Sequence, residues 1–196
     1  MKKFTYILLA VLISSCAKEK RPLLGKTAHQ LKQNAFFKDA SMSPLKDKDR
    51  KNFEGLDFFE VDSSYVVEAI LLATPDTEPF KMKTSTGRLP IYKKYGEVSI
   101  EIKGELFKLN IYQNLELEDE NYLFLPFMDD TNGETSYSGG RYIETSIPQG
   151  DILKIDFNTA FNPYCAYNEK YSCPIVPREN YLPIEIKAGV KAFEKH

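Results

Sequence analysis

The 196-residue sequence has no tryptophan, two histidines and three cysteines. Histidine is the side chain that most readily moves protons or ligates metals near neutral pH. One of the two, His196, is the final residue, and the other, His29, sits in a polar segment. Neither position suits a catalytic base, so a Ser-His-Asp or Cys-His arrangement is not expected. A histidine-built zinc or haem centre is not expected either, and no metal or cofactor is assigned. Charge of one sign is equally scarce: 26 Lys and Arg against 28 Asp and Glu leave a formal net charge of −2. Nucleic acid wants a basic stripe, which this balance does not supply. No apolar run approaches the roughly 20 residues that a spanning helix needs.

What apolar run there is lies at the start. Phe4 to Ile13 follows Met1-Lys2-Lys3 without a charge, a length within the ~7–15 residues of a signal peptide's apolar region. Ile13-Ser14-Ser15-Cys16 resembles the bacterial lipobox. The resemblance implies thioether lipidation of Cys16, cleavage before it and acylation, palmitate included, of the new amino terminus. Several acyl chains give stable membrane attachment where one does not. Residues 1–15 are therefore expected to be a signal peptide and residues 16–26 a lipidated tether. Residues 27–192 are expected to form a single β-rich globular domain. The expected location is the bacterial cell envelope, lipid-anchored at the outer membrane or periplasmic face, with the membrane as partner and protein partners unassigned.

A folded part of about 165 residues can bury roughly 70% of its unfolded surface and needs no metal or disulfide merely to fold. Thr27 to Asp39 reads as a helix, and Ser43-Pro44 as the cap and first residue of a second short helix reaching Phe53. Strands follow. Tyr65 to Leu72 is rich in Val, Ile and Leu. Val98, Ile100 and Ile102 alternate with Ser99, Glu101 and Lys103, and a second apolar run continues from Leu106 to Tyr112. Together these read as a hairpin turning near Lys103-Gly104. Tyr122 to Pro126, Ile152 to Phe157 and Leu182 to Lys187 are further strand candidates, with a tight turn at Asn132-Gly133. Short strands without intervening helices predict a mainly β fold: an antiparallel β-sandwich or partly closed β-barrel with a short N-terminal helical lead-in.

Two polar segments stand apart, Phe127 to Tyr142 and Asp156 to Asn180. Pro163, Pro174 and Pro177 keep the second from being helix or central strand, and long loops in compact domains are often functional. The sequence here resembles the bacterial and archaeal family known as domain of unknown function 1684. The likeness is carried by Phe127 to Gly133, Tyr137 to Tyr142, Asp156 to Tyr167, Tyr171 to Pro174 and Glu179 to Leu182. The chain departs from the family pattern at Met128, Thr135 and Val190. The family has no settled activity, so the resemblance implies a fold and a pair of signature segments rather than a mechanism.

Candidate ligand-binding residues in these segments are Asp129, Tyr137, Arg141, Asp156, Asn158, Asn162, Tyr167, Glu179 and Asn180. Arg141 with Asp129, Asp156 and Glu179 could form a polar pocket in which the guanidinium grips a carboxylate or phosphate. An acid there could serve as a general base. The same residues could equally be a buried ion-pair and hydrogen-bond network that pins two loops. Tyr137, Tyr142, Tyr164, Tyr167 and Tyr171 suit either a sugar or aromatic pocket or a covering over a β core. Asp129 to Glu134 crowds oxygens as a calcium loop does but lacks the spacing, so these read as turn acids. Cys165 and Cys173 could form a disulfide outside the cytoplasm or remain two buried thiols. Cys165 as a nucleophile would need a lowered pKa and a base, and no histidine is at hand. Three functions follow: an envelope protein binding a small polar ligand at the signature segments, a hydrolase using Asp or Glu with Arg141, or a structural envelope protein.

If the lipobox is used, Cys16→Ala will abolish metabolic labelling by palmitate and move the protein from the membrane to the soluble fraction. Unchanged labelling would place the acyl chains elsewhere.

Overall fold

The computed structural model describes residues 25–193. The leader, Cys16 and His196 lie outside the described residues.

Helix α1 spans Ala28–Lys38. Its start is a reciprocal cap. Thr27 Oγ1 accepts from the Gln30 amide at 3.2 Å, and Gln30 Oε1 accepts from the Thr27 amide at 3.3 Å. The buried face of α1 holds Gln30, Asn34 and Phe37, and Asn34 Oδ1 takes the Leu56 amide at 2.8 Å. The next helix, α2, is Asp47–Lys51, so it starts later than Ser43. Ser43 does another job: its hydroxyl donates to the Phe37 carbonyl at 2.6 Å and accepts from the Leu45 amide at 3.2 Å. Leu45 is thereby driven into a cluster with Phe37, Phe53 and Leu56, and a buried apolar residue at that point keeps the chain extended.

Eight strands follow: β1 Val66–Ala73, β2 Phe80–Lys81, β3 Ile91–Ile102, β4 Glu105–Asn114, β5 Tyr122–Asp129, β6 Arg141–Ser146, β7 Ile152–Asp156 and β8 Tyr181–Leu182. They make one sheet ordered β6-β5-β4-β3-β1-β7, with β2 added to β3 and β8 to β5. All pairings are antiparallel except β5 with β8. The sheet curls into a half-barrel whose two outer strands, β6 and β7, approach each other. The expected mainly β architecture forms, as the partly closed barrel rather than as two stacked sheets.

The β3–β4 hairpin shows why. Val98 opposes Leu109 and Ile100 opposes Phe107, so the period of two puts one apolar row on one face. Lys103 (φ 55°) and Gly104 (φ 83°) supply the two left-handed residues that a two-residue hairpin turn requires. Leu106 falls on the outward phase and is 76% exposed. The concave core gathers Leu71, Val98, Ile100, Ile111, Leu125 and Ile155 among others.

The opposite face of the sheet is treated unevenly. Over β3 to β6 it carries Tyr92, Tyr112, Phe124 and Tyr142, which pack with Met82 and Val176 from loops. Over β1 and β7 it stays open, leaving Ile70, Leu72 and Ile152 exposed. The predicted last strand is curtailed. Its ladder with β5 ends after Leu182, although Ile186 and Ala188 still reach the core. Asn180 sets up this return. Its Oδ1 accepts from the Asn110 amide at 2.8 Å, and its Nδ2 donates to the Asn110 and Pro126 carbonyls at 2.8 and 2.7 Å.

Asn180→Ala would strand those three backbone groups in the interior, each unsatisfied group costing about 1–3 kcal/mol. Urea denaturation is expected to show a loss of about 3 kcal/mol or more. A loss under about 1 kcal/mol would mean that the three groups find other partners.

Candidate functional site

Gly140 delivers Arg141 to the start of β6. Its φ is +87°, and a Cβ there would meet Phe127 O at 2.7 Å, so the chain passes where a side chain cannot. Arg141 opposes Phe127 across β5 and β6. The alternation along β6 therefore turns Arg141 and Ile143 inward and Tyr142 outward.

Inside, the guanidinium is 0% exposed. One nitrogen donates to Asp129 Oδ2 and to the Ile186 carbonyl, both at 2.7 Å, and another donates to the Ala188 carbonyl. Its faces are covered by the Phe127 ring at 5.2 Å and the Phe59 ring at 5.6 Å. Burial lowers the guanidinium's pKa from its ordinary value, and the Asp129 carboxylate opposes that shift. An arginine nevertheless keeps its charge in such surroundings. Asp129 Oδ1 is filled from the other side by the Thr131 amide (2.9 Å), the Thr131 hydroxyl (2.6 Å) and the Ile186 amide (3.2 Å). Asn132 and Ser136 close the same turn. Asp129 is thus satisfied internally, whereas Asp130 and Glu134 of the same turn are exposed. Among the described residues no cluster of three or more His, Cys, Asp or Glu forms.

The four residues drawn together by the sequence reading do not converge. Asp129 and Arg141 pair out of solvent. Asp156 caps the turn Phe157–Thr159 through Asn158, whose amide and Nδ2 both donate to it at 2.9 Å, and it lies beside His29. Asn158 also clamps the Asp62 backbone, donating to its carbonyl at 2.9 Å and accepting its amide at 3.0 Å. Glu179 is exposed beside Tyr112. Nor are the remaining buried candidates open to a ligand. Asn162 donates to the Lys191 carbonyl at 2.8 Å. Tyr167 is 0% exposed and packs edge-on against Phe37 at 4.7 Å. Its hydroxyl is buried beside the Asn162 side chain. Asn180 is occupied by backbone, as described above.

What the two segments leave accessible lies on the outward face of β5 and β6. Tyr142 donates to the Pro174 carbonyl and anchors the loop there. Around it stand Tyr122, whose hydroxyl donates to Glu144 at 2.9 Å, and Tyr164, which meets Tyr171 edge-on at 5.4 Å. Burial, then the Glu144 carboxylate, pushes the Tyr122 phenol up, and burial with neighbouring Cys165 pushes Tyr137 up to about 12. These phenols therefore remain protonated donors. Arg88 reaches the same rim, donating to the Ser172 carbonyl at 3.4 Å. Glu144, Tyr122 and Arg88 were not among the sequence candidates. The period of two along β6 already places Glu144 on the Tyr142 face, and that was the available signal. Cys165 and Cys173 stand side by side here, each as a free thiol. The Cys165 amide donates to Cys173 Sγ at 3.1 Å.

A family model described as "Protein of unknown function (DUF1684)" matches residues 51–191. The solution NMR structure of an uncharacterised protein from Haloarcula marismortui superposes with a TM-score of 0.69 at 33% sequence identity, covering 86% of this chain and 93% of that one. No curated protein matches.

Arg141→Ala leaves Asp129 charged and unpaired in the interior, and is expected to cost about 3–5 kcal/mol in chemical denaturation. Arg141→Met with Asp129→Leu should cost less than the sum of the two single changes, with a coupling above about 1 kcal/mol. Additive losses would mean that the two side chains do not act as a pair.

Proposed function

The chain belongs to the family of proteins of unknown function DUF1684, and from that premise we propose a lipid-anchored cell-envelope protein that binds a small polar ligand on the tyrosine-rich face of its two signature segments. One observation carries this reading: the Arg141 guanidinium has no exposure. Recognition must therefore use what the buried frame holds up rather than the frame itself. On that face Tyr164 is 38% exposed, Glu144 offers a carboxylate and Arg88 a cation. Flat phenol rings with hydroxyl donors at their edges, beside one acid, suit a hydroxylated ring such as a sugar. The tether from Cys16 to Gly25 would hold the start of the domain within about 30 Å of the lipid. Glycoside hydrolysis would need a second carboxylate across a cleft from Asp129, and Asp129 is enclosed by its own donors.

The test is a thermal-shift screen of the full chain in detergent against monosaccharides, amino acids and divalent ions. A ligand that binds the folded form raises the melting temperature. A saccharide hit that is lost in Tyr164→Ala and Glu144→Gln, both surface changes, supports the reading. A hit unchanged by both variants would place the site elsewhere. No hit at all would return the face to a purely structural role.

A further inference from the structure

Cys165 lies in the turn Tyr164–Ala166, and the chain reverses at Asn168 to Tyr171 before reaching Cys173. The Cys165 amide donates to Cys173 Sγ at 3.1 Å, and the two thiols are in mutual hydrogen-bond contact. Their surroundings differ. Cys173 is 6% exposed and is held on the far side by Ser85: the Cys173 amide donates to Ser85 Oγ at 3.1 Å, and its carbonyl accepts the Ser85 amide at 2.8 Å. A bridge between Thr84 and Pro174 fixes the next residue. Cys165 is half-buried, with Tyr137 Oη 3.9 Å from its sulfur. Cys165 is thus the more exposed of the two, while Cys173 is buried and pinned beside it.

Protonation follows the same asymmetry. The Cys173 thiol, and after it the Tyr137 hydroxyl, donate to Cys165 and bring its pKa down to about 6 against the opposing effect of burial. Cys173 is held above the ordinary thiol value, chiefly by that same hydrogen bond and by burial. Hydrogen bonds donated to Cys165 favour its ionised form, and the thiolate is the nucleophile.

We infer that Cys165 and Cys173 form a thiol–disulfide exchange site, with Cys165 attacking the disulfide of an external low-molecular-weight thiol compound and Cys173 resolving the product. In the first step Cys165 Sγ bonds to one sulfur of RS–SR, the RS–SR bond breaks, and RS⁻ leaves and takes a proton from water. In the second, Cys173 loses its proton and attacks Cys165 Sγ, and the mixed disulfide breaks. The second RS⁻ departs with that proton. Two protein thiols are oxidised to one disulfide and RS–SR is reduced to two RSH; the reverse sequence restores the thiols. The proposal does not rest on the ligand reading above.

The test uses the full chain carrying Cys16→Ser, so that two thiols remain, with oxidised glutathione as the probe. After acid quenching and alkylation, intact mass is read against time. The parent is expected to gain one internal disulfide and retain no glutathione. Cys173→Ser is expected to retain one glutathione on Cys165. Cys165→Ser is expected to react at least about tenfold more slowly, as a buried protonated thiol should. Reduced glutathione should reopen the parent's bond with the far-ultraviolet circular dichroism unchanged. Should Cys173→Ser fail to fold, the transient glutathione adduct of the parent, trapped by acid and mapped by peptide mass, takes its place and must fall on Cys165. Any of four results would overturn the site: a parent that keeps both thiols, glutathione accumulating on Cys173, equal rates in the two variants, or a bond that opens only on unfolding.

Discussion

The fold is organised round a charge pair that water does not reach. Placing an arginine and an aspartate in a protein interior costs several kcal/mol in lost hydration for each ion, and mutual attraction offsets that only when the remaining donors and acceptors are also met. Here they largely are. Asp129 accepts hydrogen bonds from Arg141, from both polar groups of Thr131 and from the Ile186 amide. Arg141 gives its terminal nitrogens to Asp129 and to the carbonyls of Ile186 and Ala188, while Nε stays buried without a partner. The pair joins the end of β5, the start of β6 and the segment after β8. It stands where a strand's ladder would otherwise run.

That substitution explains which parts of the molecule were legible in the sequence. The β3–β4 hairpin is a local object: alternating Val98, Ile100 and Ile102 and the Lys103-Gly104 turn specify it without help from the rest of the chain. The helix at Thr27 is local too, because its cap lies three residues from its partner. Leu182 to Lys187 reads as a strand for sound reasons, its apolar residues alternating, but the Ile186 carbonyl and that of Ala188 just beyond are met by a guanidinium more than 40 residues earlier, and the Glu185 carbonyl by the Tyr65 hydroxyl. Periodicity cannot reveal a ladder made of a side chain. Ser43 misled for the same reason: a good cap residue was taken by a tertiary contact with Phe37.

The candidate site divides along the same line. Polar residues dense in a loop point to either recognition or architecture, and the composition is identical in the two cases. Burial separates them. Arg141, Asp129, Asn162, Asn180 and Tyr167 turn inward, so the residues that carry the family resemblance most visibly are those that hold the loops. The residues left for chemistry are those that loop and sheet present jointly, such as Glu144 from β6 and Tyr164 and Cys165 from the second segment. No single stretch of sequence shows them as neighbours.

The order in which this frame can be completed is itself constrained. A chain made from its N-terminus exposes β1, β3 and β4 early, yet Asn110 waits for Asn180 and Arg141 waits for Ile186 and Ala188. Contacts so distant in sequence slow folding, because the loop must close before anything is gained. Until the segment holding Ile186 and Ala188 has been synthesised, the half-barrel lacks the carbonyls that cap its charged pair, and the nascent chain stays without its finished core.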